Sequence, residues 1–182
     1  ARENEKRLPG VRLHDNVRPT ARADDLAEMD ALLLVTPAQS VRAMAAIFAP
    51  VIRQDAPIAV CAKGVERGTR MFMADVLEQA APNHAVAALS GPSFAHDVAA
   101  GLPTAVTVAA KDEAVAQRFC ASLATPSFRL YHTSDLRGVE IGGAAKNVLA
   151  IACGVAAGRN LGASAQAALI ARGFAELRRF GR

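Results

Sequence analysis

Short apolar runs and amphipathic stretches alternate along most of this chain. Residues 31–36, 58–62, 85–90, 104–109 and 128–132 are runs of five or six largely apolar residues bounded by turn formers, which is the pattern of buried strands. Between them lie stretches with helical spacing. Residues 38–53 place Val41, Ala45, Phe48 and Ile52 on one stripe, and about 69–80, 92–100 and 112–124 follow suit. Apolar strands that alternate with helices of this length predict a mainly parallel sheet with helices on both faces. Segment 8–20 is rich in turn residues and reads as loop and edge structure. After Asp135 the alternation stops, and two helices are predicted, one to about residue 158 and one over 163–180. The fold class is therefore α/β: a mainly parallel sheet over residues 1–136, followed over 137–182 by the start of an all-helical domain.

In an open α/β sheet, ligands bind beyond the carboxyl ends of the strands. That rule singles out residues 36–40, Lys63-Gly64, residues 90–95 and the turn near Thr133. Lys63 follows an apolar strand and precedes a glycine, so its ammonium is expected to project over the ligand edge. The alternative is a solvated loop lysine in a turn with a local ion pair to Glu66. Ser90-Gly91-Pro92-Ser93 joins a strand to a helix, with proline and serine as helix-start signals. The same residues suit a ligand: Gly91 lets one approach the backbone, while free N–H groups and Ser93 hold a hydroxyl or phosphate.

The run from Ile141 to Ala157 carries Lys146 and Asn147 in a helix that is apolar almost all round. Such a helix is normally buried, and burial lowers a lysine's pKa and makes it usable as a base. Its small residues point to close approach by another part of the chain. The alternative is a lysine that snorkels out of the helix.

Composition narrows the choices. Of 182 residues 52% are hydrophobic and 21% charged, as in an ordinary globular protein with a core, and disorder is not indicated. The net charge of +4 is uneven: residues 1–136 carry 14 Lys/Arg against 15 Asp/Glu, and 137–182 carry 7 against 2. Without clustered basic residues, tryptophan or a recognisable module, nucleic acid is not expected as a partner, and a field that attracts a small anion is. Cys61, Cys120 and Cys153 lack the spacing of a disulfide framework or a metal site, so reduced thiols and no metal are expected. His14, His84, His96 and His132 are assigned to turns or helix surfaces. The apolar run is too short and too interrupted to span a bilayer, the start is no signal peptide, and a cytoplasmic location follows. The glycine-rich dinucleotide fingerprint does not occur in these residues.

Taken in order, Glu3-Asn4, Leu8-Pro9-Gly10, Lys63-Gly64-Val65-Glu66, Ser90-Gly91-Pro92-Ser93-Phe94-Ala95, Gly101-Leu102-Pro103-Thr104-Ala105, Gly142-Gly143-Ala144-Ala145-Lys146-Asn147 and the stretch from Ala165 to Gly173 resemble the bacterial NAD(P)-dependent glycerol-3-phosphate dehydrogenases. The resemblance runs through nearly the whole chain. It implies a Rossmann-like domain followed by a helical domain, with NAD or NADP as cofactor and a possible homodimer. The reaction implied interconverts dihydroxyacetone phosphate and sn-glycerol 3-phosphate and feeds phospholipid synthesis. Carried over by motif, Lys146 resembles the catalytic lysine and Asn147 its companion at the substrate. Lys63 resembles the lysine that touches both cofactor and substrate, Gly91 and Ser93 substrate contacts, and Ala95 a cofactor contact. The first strand and phosphate loop of that family lie upstream of what is present here, and further helical segments downstream. The sheet is thus expected to be incomplete, and a polypeptide confined to these residues is expected to have little or no activity. Two other readings are a non-catalytic fragment that serves as a folding or interaction module, and a related reductase acting on another small acid.

Overall fold

The structure is a computed structural model that describes residues 2–181. A small antiparallel hairpin, β1 (Glu3–Asn4) and β2 (Leu8–Arg12), precedes the main sheet. That sheet runs in the order β3 (Leu32–Leu34), β4 (Ile58–Val60), β5 (Val86–Ser90), β6 (Thr104–Ala110), β7 (Phe128–Thr133). The pairs β3–β4, β4–β5 and β6–β7 are parallel, and β5–β6 is antiparallel.

The helices are α1 (Val41–Phe48), α2 (Met73–Ala80), α3 (Ala95–Ala99), α4 (Glu113–Leu123), α5 (Leu136–Gly158) and α6 (Ala163–Phe180). The central strand β4 is buried on both faces, the edge strands β3 and β7 are partly exposed, and alternate residues of the sheet feed two cores. Leu34, Ile58, Val60 and Ala88 pack with Val41 and Ala45 of α1 and Val76 and Leu77 of α2. Ala59, Ala87, Val108 and Ala110 pack on the other face with Ala116 and Phe119 of α4. The one antiparallel step has a local cause. A parallel return needs a crossover of a dozen or more residues, usually a real helix, and α3 has five residues. The chain therefore turns back beside β5 instead of crossing over the sheet. Helix α4, with eleven residues and Asp112 accepting a 2.9 Å hydrogen bond from the Ala114 N–H as its cap, does make the parallel crossover to β7.

Helix α5 starts at a comparable cap, where Asp135 accepts from the Gly138 N–H at 2.8 Å. It lies against β5, β6 and α6, with Leu136, Ile141, Gly143 and Ala156 buried. Two expectations about it need correction. The helix is longer than the apolar run, at 23 residues, and is long and apolar enough by length and composition alone to cross a bilayer. One side of it packs against the sheet and α6. It is also not enclosed: Val148, Ile151 and Val155, with Ile170, Phe174 and Phe180 of α6, are half or more exposed. A helix that is apolar all round needs partners all round, and the described residues supply them on only part of its girth.

The other helices differ from the sequence reading at their ends. The 38–53 stretch resolves into a 3₁₀ turn, Ala38–Ser40, followed by α1, and ends in turns after Phe48. Helix α2 begins at Met73 because residues 63–72 form a folded turn with positive φ at Gly64, Gly68 and Arg70. Leu77 on α2 is fully buried in the first core. Leu77→Ala should lower the unfolding free energy by about 2–5 kcal/mol, read as a fall in the urea midpoint at constant slope; an unchanged midpoint would contradict this packing.

Candidate functional site

The strand ends of β4 and β5 face α5, and glycine permits the closeness. A Cβ on Gly143 would sit 2.7 Å from Ser90 Oγ and 3.5 Å from Lys63 Cγ. A side chain there would displace the Ser90 hydroxyl from its place between the strand end and α5. Around this contact lie two adjoining hollows. One is a cleft of about 210 Å³ lined by Ser90, Gly91, Thr107, Gly142, Gly143 and Lys146. The other is a tighter space that shares Ser90 and Gly143 and adds Lys63, Gly64 and Glu140. Lys146 lines the first hollow and Lys63 the second, so the two lysines flank the shared Ser90–Gly143 contact, one from a helix and one from a strand end.

Among the described residues, neither lysine has a carboxylate partner within ion-pair distance. Glu66 is held by Arg42 with Nε and Nη2 each 2.8 Å from a carboxylate oxygen. Asp75 is held by Arg137 at 3.0 Å. Glu140 accepts a hydrogen bond from the Ala74 N–H at 2.8 Å, capping the start of α2, where Phe72 offers no side-chain cap. Burial, and then the neighbouring charge of Lys146, lower the pKa of Lys63. Burial raises that of Glu140, against the pull of the α2 N–H groups. Burial also pushes the Cys61 thiol up to about 11, so it is no thiolate nucleophile near neutral pH. Arg42 and Thr69 hold the Glu66 carboxyl down at about 2. Its contribution to stability is therefore complete above the ordinary carboxyl value of 4.5 and fades as pH falls toward 2. Two unpaired ammonium groups over a strand-end cleft favour a small anion.

The turn between Lys63 and α2 is stapled on its outer side. Gln39 Nε2 donates to the Val65 carbonyl at 2.8 Å, and Gln39 Oε1 accepts from the Arg67 N–H at 2.9 Å. Val65 pairs with Phe72 in an isolated bridge, and the Arg137 guanidinium lies 4.4 Å from the centre of the Phe72 ring.

Among the expected site residues, Lys63, Gly91 and Lys146 line these hollows. Ser93, Ala95 and Asn147 line neither one: Ser93 is half-buried in the bend after β5, Ala95 is exposed at the start of α3, and Asn147 is exposed on α5. Lys146 is half-buried rather than enclosed. Two readings are corrected, those of Pro92–Ser93 and of Glu66, and Gly91 and His84 prove to carry structural contacts as well. Pro92 and Ser93 do not open a helix, because α3 starts at Ala95 with Phe94 as an N-cap that makes no side-chain bond. Gly91 is required first by packing, since a Cβ there would lie 2.8 Å from the Val106 Cα and 2.9 Å from the Ala105 carbonyl oxygen. Glu66 pairs with Arg42 and not with Lys63. His84 is buried, with its two ring nitrogens each 3.0 Å from a carbonyl oxygen, of Ala56 and of Ala49.

Gln39, Arg42, Glu140 and Thr36 were not picked out as individuals from the sequence. Residues 36–40 were marked only by their place after a strand, and Arg42 and Glu140 find partners 24 and 66 residues away. Thr36 Oγ1 is buried without a hydrogen-bond partner at the end of β3.

A sheet with helices on both faces and two lysines at its strand ends defines a Rossmann-like α/β fold with a cationic cleft. Residues 1–116 match the model of the NAD-dependent glycerol-3-phosphate dehydrogenase N-terminus, and residues 135–182 that of the C-terminus. The chain belongs to this family. It is 60% identical over 181 residues to the glycerol-3-phosphate dehydrogenase [NAD(P)+] of Azorhizobium caulinodans, and 60% identical over 182 residues to that of Methylobacterium radiotolerans. In each case all of this chain aligns with 55% of the relative, so the chain spans about half the length of the curated relatives it matches. The crystal structure of the Coxiella burnetii glycerol-3-phosphate dehydrogenase superposes with a TM-score of 0.86 at 33% identity, covering 95% of this chain and 53% of that one. The Plasmodium falciparum glycerol-3-phosphate dehydrogenase gives 0.90 at 27%, covering 99% and 51%.

The lowered pKa of Lys63 has a consequence for stability. Between its folded value and the ordinary 10.5 the unfolded chain binds more protons, so stability rises with pH through that window, and the cost of the charge is complete below it. Lys63→Met should therefore be more stable than the wild type at pH 7, with the advantage gone above about pH 10.5. Thermal melts at pH 7 and pH 11 test this; a variant that is less stable at pH 7 would count against it.

Proposed function

We propose that the complete protein to which this chain belongs interconverts dihydroxyacetone phosphate and sn-glycerol 3-phosphate with NAD(P)(H). The observation that carries this reading is the pair Lys63 and Lys146, whose charges stand without carboxylate partners across a strand-end cleft in a chain of this family. A phosphorylated three-carbon substrate supplies the anion that these ammonium groups lack, and 210 Å³ suits a molecule of that size.

Lys146 is read as the acid–base group. In the oxidation direction it accepts the proton of the C2 hydroxyl, and in reduction it polarises the ketone and returns that proton. Lys63 is read as holding the substrate on the cofactor side, with its lowered pKa marking a charge that a bound anion would relieve. Gly91, Ser93 and Asn147 are read as substrate contacts, and Ala95 with Lys63 as cofactor contacts. For Ser93, Ala95 and Asn147 the support is the motif alone. When bound, NAD(P)+ would take up the C2 hydride in oxidation, and NAD(P)H would return it in reduction. The strand ends fit the polar part of such a molecule, since the unpaired Thr36 hydroxyl offers a donor at the same edge as Lys63.

In the same reading, residues 1–136 belong to the cofactor-binding domain and 137–182 begin the helical substrate and dimerisation domain; the support is that separate N- and C-terminal family models match residues 1–116 and 135–182. A cytoplasmic homodimer that feeds phospholipid synthesis is the setting this assigns. The fragment-only and other-acid readings have no support from the relatives. In the complete protein, Lys146→Ala should lower turnover of dihydroxyacetone phosphate by about 10²–10⁴-fold, the usual loss for an acid–base group; turnover within a few-fold of wild type would remove Lys146 from the chemistry.

A further inference from the structure

The turn that carries Lys63 leaves the core at Ala62 and returns to it at Met71. Gly64 adopts φ +138°, and a Cβ there would touch Ala38 Cβ at 3.6 Å, so the backbone after Lys63 runs directly over the 3₁₀ turn Ala38–Ser40. Gln39 stands in that turn. Its amide spends both polar ends on the same short segment, donating to the Val65 carbonyl and accepting from the Arg67 N–H. One planar group bonded to a donor and an acceptor two residues apart fixes both the distance and the tilt of the segment. Arg42, one turn further on, holds the next residue, Glu66, with two bonds of 2.8 Å, and also reaches Gln79 of α2. The Lys63 turn is thus clamped from one side by the entrance of α1. Gln39 is the clamp nearer the lysine, and Arg42 the one that ties the turn to α2.

We propose that Gln39 is a positioning residue of the lysine cleft: its amide sets where the Lys63 ammonium stands over the strand ends, and ligand binding depends on that placement. The inference rests on the proposed dehydrogenase reading for its effect on substrate, but not for its effect on Lys63. Gln39 is itself exposed, so it is not part of the packing that holds the sheet together. The groups facing Lys63 are Lys146 from α5, Cys61 just after β4 and, across the shared space, Glu140 from α5. Loosening the turn gives Lys63 more water and more distance from Lys146, and both changes favour its charged form.

The test compares Gln39→Ala and Gln39→Met in the complete protein. Methionine keeps the length and loses both hydrogen bonds, which separates bonding from volume. The Lys63 titration is followed by ¹³C NMR of reductively methylated protein, assigned by the resonance missing in Lys63→Arg, alongside steady-state kinetics and thermal melts. Expected are an upward move of the Lys63 titration in both variants, a fall in kcat/KM of on the order of 10²-fold carried by KM, and an unchanged melting temperature. An unmoved Lys63 titration in both variants overturns the proposal whatever the kinetics do. So does a lowered melting temperature with Lys63 unmoved, which marks a purely structural role. If the wild type turns over no dihydroxyacetone phosphate yet the Lys63 titration moves, the dehydrogenase reading fails and the positioning role stands.

Discussion

Everything about the cleft depends on how closely α5 can lie on the ends of β4 and β5, and that closeness is set at Gly143. With hydrogen in place of a Cβ, Ser90 Oγ and the Lys63 stem occupy the space a side chain would take. The helix then lies flat on the strand ends, and Lys146, just under one turn further on, arrives at the wall of the cleft without a loop to place it. Rigid elements hold functional groups more tightly than loops do. Here one lysine rides on a helix, and the other sits on a turn stapled to a neighbouring helix.

The same region shows how a site draws on long-range bonds. Glu140 caps α2 from α5, Arg137 ties Asp75 and Phe72 to the same seam, and Arg42 holds Glu66. Each of these carboxylates is committed elsewhere, and the two lysines are left unneutralised. A pair of like charges held beside each other works against stability. Its persistence is the kind of local conflict that marks functional sites in otherwise consistent structures.

The alternation of apolar runs and helical stretches made the sheet, its five strands and its two-sided cover legible, because buried strands and amphipathic helices write themselves in periodicity. The direction of β6 was not legible: it follows from α3 being too short to cross the sheet, and helix length near Pro92 and Ser93 is a matter of a few residues. Lys63 and Lys146 could be found because a charged residue in an apolar setting stands out. Gln39, Arg42 and Glu140 could not be singled out, since polar residues on helix starts are ordinary until a partner from far along the chain is known. Gly91 was read as a ligand gap, yet its first demand comes from the backbone of β6. The exposed side of α5 was misjudged for a related reason: periodicity tells that a helix wants cover, not which part of a molecule provides it.

That exposed side bears on how the site is governed. Lys146 and the open stripe of Val148, Ile151 and Val155 are carried on one continuous rod, with Gly143 as its seat on the sheet. A helix holds its residues at a fixed rise and rotation, so any surface that covers the stripe stands at a set distance from Lys146. What lies against α5 on the outside and what lies against Lys146 on the inside are thus registered to one another through one backbone.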